Sequence, residues 1–149
     1  MEEAAEFNIG IKALITNDKN EILLLKAGHE ETKHTKIDFW DFPGGRIKQG
    51  YGIEDTLRRE VEEELGIPGE DIKTESIFDA TISNFKQLHG RLFLMLIVYK
   101  CRLLGSKKFK LSNEHSECKW LPIDEAKKLL GTKFPKSFTD KLDELKKGS

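Results

Sequence analysis

The 149-residue sequence lacks several features that mark secreted, membrane or nucleic-acid-binding proteins. Two cysteines, Cys101 and Cys118, are too few for a disulfide framework and lack metal-site spacing, so we expect each to fill a strand position as a small apolar side chain. Lys plus Arg total 25 and Asp plus Glu 26, so there is no overall attraction to nucleic acid or to an anionic membrane. The longest apolar run, residues 92–99, is far too short to span a bilayer.

The beginning of the sequence gives no sign of export. The stretch MEEAAEFNIG is acidic and has no apolar core, so we do not expect a signal peptide, and we predict a cytoplasmic protein. The length fits one domain over residues 1–149 and is enough to bury a hydrophobic core. The sequence leaves the oligomeric state open.

Strand patterns outnumber helix patterns along the chain. Strands are predicted at residues 9–16, 21–27, 39–42, 91–104 and 117–122, with one bent strand or two at residues 72–85. The first two strands flank the turn NDKN and predict a hairpin, and the apolar strand at 91–104 is expected to be central with both faces covered. Helices are predicted at residues 53–65, 123–130 and 136–147. This mixture predicts an α/β (α+β) fold with helices packed on a mixed β-sheet.

The helix predicted at residues 53–65 has an apolar stripe, which recurs every four residues as Ile53, Leu57, Val61 and Leu65. Beside the stripe, Glu60, Glu63 and Glu64 share one face at helical spacing. Like charges at this spacing destabilise a helix, and a divalent cation such as Mg²⁺, which prefers oxygen ligands, would offset that repulsion. The alternative is an ordinary solvated acidic face.

Two neighbouring features favour the metal interpretation over the solvated face. The helix follows the pair Gly44–Gly45, which lets the backbone approach a ligand closely. Arg59 directly precedes the cluster, and arginine pairs well with carboxylate or phosphate.

Gly45, position 51 and the run Arg-Glu-Val-Glu-Glu-Glu-Leu-Gly-Ile at residues 59–67 resemble the Nudix box. The family pattern is glycine, five residues, glutamate, seven residues, then Arg-Glu-aliphatic-any-Glu-Glu-any-Gly-aliphatic. Every fixed position matches except one, because Tyr51 stands where the pattern has its first glutamate. The preceding FWDFPGG also resembles the family's lead-in to the box.

The resemblance implies a Nudix-like α/β/α sandwich and a metal-dependent hydrolase that cleaves a nucleoside diphosphate linked to another group. The implied cofactor is Mg²⁺ or Mn²⁺, and the implied partner is a small-molecule nucleotide, not a membrane. Nucleic acid would enter only as a substrate variant, such as a capped RNA end.

The resemblance also assigns roles to individual residues of the box. Glu60, Glu63 and Glu64 would be metal ligands, with the carbonyl of Gly44 contributing and Arg59 orienting the cluster through a salt bridge. Glu114, in a loop before a late strand, would be the general base or an additional ligand. Glu117 is the fallback for that role, and an acidic loop residue without a role is the alternative.

Substrate contacts are expected outside the box. The polar loop at residues 28–38, with Lys33, His34 and Lys36, is long enough to bind phosphate or base. The aromatic side chains, Trp40 and Trp120 among them, are interpreted first as packing residues.

Tyr51 raises the question of how Arg59 is held, because a tyrosine hydroxyl carries no charge at neutral pH. Tyr51 can accept a hydrogen bond from Arg59 or lie under its guanidinium in a cation–π contact. Alternatively Glu54, one turn further on, supplies the missing carboxylate. Two other functions stay open: a non-catalytic nucleotide-binding or regulatory module, and a protein-interaction domain with an acidic helix.

Overall fold

The computed structural model describes residues 2–27, 38–85, 93–105 and 115–147. The strands in these ranges are β1 Phe7–Ile15, β2 Ile22–Ala27, β3 Trp40–Asp41, β4 Gly44–Arg46, β5 Ile72–Ile82, β6 Phe93–Leu103 and β7 His115–Leu121. The helices are α1 Ile53–Leu65, α2 Ile123–Leu130, α3 Lys136–Thr139 and α4 Glu144–Lys147, with short 3₁₀ turns at Gly69–Asp71 and Asp140–Asp143.

The strands form two sheets. One has four strands in the order β4-β1-β6-β5, with β1 parallel to β6 and the other pairs antiparallel. The second is antiparallel, in the order β3-β2-β7. The predicted mixed sheet is confirmed, and β6 lies between β1 and β5 as expected of a central strand.

Two hydrophobic clusters cover opposite faces of β1. The stripe of α1 packs with Ile11, Ala13 and Ile15, whereas Leu14 packs with residues of α2, α3 and α4. Helices therefore lie on both faces of the strand, as in the predicted α/β/α arrangement. None of the helices in the described ranges is long and apolar enough to cross a membrane.

The predicted hairpin of the first two strands is wrong. β1 and β2 belong to different sheets, and a single bridge between Thr16 and Ile22 joins them before they diverge. Both edges of β1 are taken, one by β4 and the other by β6, so no edge is left for β2.

The remaining boundaries lie within a few residues of the predictions. Of the two possibilities for residues 72–85, one strand or two, the structure has one strand, β5, with two irregularities in register. The single helix predicted at residues 136–147 is instead divided by the 3₁₀ turn Asp140–Asp143. β4, a short glycine-containing strand, was not predicted.

Candidate functional site

The helix α1 places the acidic cluster and has the predicted bounds. Gly66 ends it in the left-handed conformation, with φ of 71°, and donates its N–H to the carbonyl of Glu62 at 2.8 Å. Leu57, Val61 and Leu65 are buried as predicted. Ile53 is 38% exposed, so its placement in the buried stripe is wrong; it lies in the first turn of the helix.

Glu64 is the most deeply buried of the box glutamates, with 3% of its surface exposed. Its Oε1 accepts a hydrogen bond from the backbone N–H of Gly44 at 2.7 Å. Gly44 has φ of 146°, and a Cβ there would lie 2.1 Å from the carbonyl oxygen of Ile11. Only glycine fits this position, and the absent side chain brings β4 close enough to β1 and α1 to make the bond.

Glu60 lies against the second glycine of the pair. A Cβ at Gly45 would come within 2.5 Å of the carboxyl carbon of Glu60, so glycine is what admits this side chain. Glu60 is half-buried, and Glu63 is exposed. The three glutamates of the predicted face therefore differ in solvent exposure, which increases from Glu64 through Glu60 to Glu63.

The two inner carboxyl groups are costly to ionise. Burial raises the pKa of Glu64 to about 8, although Lys12 and the N–H of Gly44 act in the opposite direction. Burial, and then the charge of Glu63, raise the pKa of Glu60 as well. A divalent cation between such groups would favour their charged forms.

Arg59 is held by the ring of Tyr51. Its Cζ lies 4.1 Å from the centroid of the tyrosine ring, which is the cation–π contact that the sequence offered as one of two ways for Tyr51 to hold Arg59. Its Nη2 lies 3.9 Å from Oε1 of Glu60, in a loose version of the predicted salt bridge. Glu54 instead pairs with Arg58, at 3.6 Å, so it does not replace the missing carboxylate as the alternative suggested.

Sequence reasoning missed a buried ionic network next to β4, the strand that carries Gly44 and Gly45 and is called the glycine strand below. Nζ of Lys12 lies 2.9 Å from Oδ2 of Asp41, and Lys133 bonds the same oxygen. Burial alone would raise the pKa of Asp41, but the two lysines outweigh it and lower that pKa. A lysine within the apolar run IGIKALIT and an aspartate within FWDFPGG were the available signals.

Several predicted contributors fall outside the described residues. Glu114 is among them, as are Lys33, His34 and Lys36 of the polar loop. Glu117, the fallback, lies on β7 near Lys119 at 3.3 Å and Lys26 at 3.9 Å. It is thus engaged with lysines on β7 and β2.

The donor chemistry around α1 fits a hard divalent cation. Within the described ranges no three His, Cys, Asp or Glu side chains converge closely enough to hold a metal ion as they stand. Mg²⁺ is commonly bound by one or two carboxylates, with waters and substrate phosphates completing its shell. Glu60 and Glu64, both with raised pKa values beside a glycine strand, meet that smaller requirement. The carbonyl of Gly44 as a ligand stays a prediction.

Comparison with known proteins places these features in a family. A model of the NUDIX domain matches residues 6–142. Nudix hydrolase 6 of Arabidopsis thaliana is 32% identical over 128 residues, which is 81% of this chain and 41% of that protein. An 8-oxo-dGTP diphosphatase of Proteus vulgaris is 31% identical over 80 residues, covering 54% of this chain and 69% of that protein. The chain spans about two fifths of the length of the two Arabidopsis relatives, 41% and 38%.

Solved structures agree with the family assignment. A MutT protein from Methanosarcina mazei Go1 superposes with a TM-score of 0.71 at 27% identity, covering 99% of this chain and 98% of that one. An Ap4A hydrolase of C. elegans superposes with a TM-score of 0.74 at 19% identity, covering 95% and 99%, and shows the shared fold. The family-model match over most of the chain, with the glycine strand and glutamate helix in place, shows that this chain belongs to the Nudix hydrolase family.

Proposed function

We propose that this domain hydrolyses a pyrophosphate bond in a nucleoside diphosphate linked to another group, with Mg²⁺ or Mn²⁺ as cofactor. The observation that carries the proposal is the pair of inner carboxylates on α1. Glu64 is held by the N–H of Gly44, and Glu60 lies against Gly45. A solvated acidic face would not need buried carboxyl groups with raised pKa values.

The names of related proteins support the substrate class. They include 8-oxo-dGTP diphosphatases, an RNA pyrophosphohydrolase from Ruthia magnifica and, at the level of fold, a UDP-X diphosphatase. The shared chemistry is cleavage within a di- or polyphosphate attached to a nucleoside. We propose this class for the chain, without selecting a nucleobase or a second group.

The proposed division of labour follows from burial and charge. Glu60 and Glu64 would hold the cation, which when bound neutralises the diphosphate and lowers the pKa of a bound water. Glu63, exposed at the outer end of the cluster, would add a ligand from the solvent side.

Arg59 would orient Glu60 and stabilise negative charge on the phosphate, since its guanidinium lies near both that carboxylate and the ring of Tyr51. Glu114 is proposed as the base that accepts the proton of the attacking water, or as a further ligand.

A panel of nucleotide derivatives tests this function. The panel contains oxidised nucleoside triphosphates, ADP-ribose, dinucleoside polyphosphates, nucleotide sugars and a triphosphorylated RNA end, each with Mg²⁺, and mass spectrometry identifies both products. We expect turnover that is lost on chelation and in Glu64→Gln. Glu62→Gln is the matched control, because it removes the same charge from the exposed part of the same helix.

A blank panel would contradict the proposal. If nucleotides then raise the melting temperature without product release, the chain is a nucleotide-binding module that keeps the fold. Stabilisation by a nucleotide follows from binding to the native state alone, so the two measurements separate the functions.

A further inference from the structure

Four buried residues of both charge signs include one of the proposed cation ligands, Glu64. Glu64, Lys12, Asp41 and Lys133 are 3%, 8%, 4% and 6% exposed. Lys12 lies 2.9 Å from Asp41, and Lys133 bonds the same carboxylate oxygen. Buried ammonium groups are expensive, so a lysine kept in this position calls for a reason beyond packing.

Lys12 lies directly under the glycine strand that holds Glu64. It is paired with Gly44 across β1 and β4, and a Cβ at Gly44 would lie 2.9 Å from Cδ of Lys12. Gly44 in turn donates its N–H to Glu64. Burial raises the pKa of both Glu64 and Glu60, and the positive charge of Lys12 acts on each carboxylate in the opposite direction.

We propose that Lys12 is a positioning residue that serves as an internal counter-ion to Glu64 and Glu60, and so holds down the affinity of the site for a free divalent cation. Asp41 fixes the ammonium group in place. A cation that enters beside this fixed positive charge is repelled, and the negative charge of a bound diphosphate offsets the repulsion. The cation therefore binds tightly only together with substrate. This inference rests on the proposed function.

Lys133 provides a matched control for Lys12. It is equally buried and bonds the same oxygen of Asp41. Its backbone lies on the turn after α2, where its carbonyl accepts hydrogen bonds from Ser83 Oγ and the N–H of Asn84. Replacing either lysine by methionine deprives Asp41 of one partner, but only the Lys12 variant removes the charge next to Gly44.

The test measures Mn²⁺ binding by isothermal titration calorimetry at pH 8 on the full chain, without nucleotide. Because loss of Lys12 also favours protonated Glu64, the titration is done in two buffers of different ionisation enthalpy so that displaced protons are counted. We expect the proton-corrected affinity of Lys12→Met for Mn²⁺ to be about tenfold higher than that of the parent, from removal of one nearby unit charge. Lys133→Met should bind like the parent, and Lys12→Arg should restore parental affinity. A lysine with only a structural role would distort the site when replaced and weaken binding, so the direction of the change separates the two roles.

The possible outcomes are distinguishable. If Lys12→Met does not fold, Lys12→Gln removes the charge while its amide still donates to Asp41, and the same tightening is expected. Unchanged or weaker Mn²⁺ binding in the folded Lys12 variant, or equal tightening in Lys133→Met, overturns the inference. If Glu64→Gln loses Mn²⁺ binding while Lys12 variants match the parent, the proposed metal site stands and the role of Lys12 falls. If the parent itself binds no Mn²⁺ and hydrolyses nothing, both fall.

Discussion

Glu64→Gln is expected to stabilise the metal-free protein while abolishing the proposed hydrolysis. The pKa of Glu64 is raised from 4.5 to about 8, so the folded state binds more protons than the unfolded state over that interval. Stability is therefore lost as the pH rises from about 4.5 to about 8, and above that the full cost of the buried charge is present. A glutamine has no such charge.

The expected magnitude follows from the same values. One pKa unit corresponds to about 1.4 kcal/mol, so the upper limit of the gain at pH 8.5 is about 5 kcal/mol. The glutamine amide must find a partner in a buried position, and Lys12 loses a carboxylate neighbour, so we expect a net gain of about 2 kcal/mol. For a chain of this size that gain raises the melting temperature by roughly 4–8 °C.

Urea denaturation in EDTA at pH 5 and at pH 8.5 measures this effect. The variant should exceed the parent in free energy of unfolding at pH 8.5 and lose most of that advantage at pH 5. Replacing EDTA by a large excess of Mg²⁺ should stabilise the parent but not the variant, because even the weak binding expected without nucleotide uses Glu64 as a ligand. Glu62→Gln, on the exposed part of α1, should show no such pH-dependent gain. A Glu64→Gln variant that is less stable than the parent by the same amount at both pH values would refute the reasoning.

Three further substitutions test other contacts. Gly45→Ala places a Cβ 2.5 Å from the carboxyl carbon of Glu60 and should displace that side chain. We expect kcat/KM to fall at least about tenfold while the circular dichroism spectrum stays native. Unchanged activity would mean that the reaction does not need Glu60 in this position. Tyr51→Phe should retain parental kcat/KM and Tyr51→Leu should lose several-fold, since the ring rather than the hydroxyl contacts Arg59; equal losses would contradict this. Asp41→Asn removes the Asp41 carboxylate from two buried lysines and should lower the free energy of unfolding at pH 7 by about 3–5 kcal/mol. Because the pKa of Asp41 is lowered on folding, that gap should narrow as acid protonates the parent, and a constant gap down to pH 2 would count against it.

Local pattern was enough to predict the helix that carries the site. The spacing of Leu57, Val61 and Leu65 and the stop at Gly66 define α1 without reference to the rest of the chain. The pattern also places the glutamates beside the stripe, but it does not say that Glu64 is the most buried of them or that Ile53 is exposed.

Strand partners could not be predicted from local pattern in the same way. The alternation of β1 and β2 around a turn favours a hairpin, but β1 pairs in parallel with β6, which lies far along the sequence. β4 is too short and too rich in glycine to show a strand pattern, and it exists because Gly44 can lie against Lys12. Which strands pair with β1 depends on how the apolar side chains of the whole sheet are buried, and a local sequence pattern does not contain that information.

The ionic network shows the same limit for side chains. The network joins three distant segments of the sequence, through Lys12, Asp41 and Lys133. Taken singly, each is a charged residue of a type that is usually exposed, and nothing near it in the sequence identifies a partner. Their meeting requires β1, β3 and the turn after α2 to be assembled first. The sequence does show a charged residue inside an apolar run, as with Lys12 in IGIKALIT, and such a residue indicates a buried partner from another segment.

Tyr51 contacts Arg59 without adding a negative charge beside it. A glutamate at this position would pair ionically with the guanidinium, whereas the tyrosine ring lies 4.1 Å from it and leaves Glu60 as its carboxylate neighbour. Nη2 of Arg59 is buried and has no hydrogen-bond partner among the described residues, and Glu60 lies 3.9 Å away. An unpaired buried donor is costly and gains most from an incoming anion. We therefore expect Tyr51 to support the guanidinium of Arg59 while more of its charge acts on Glu60 and on the phosphate that the site is proposed to bind.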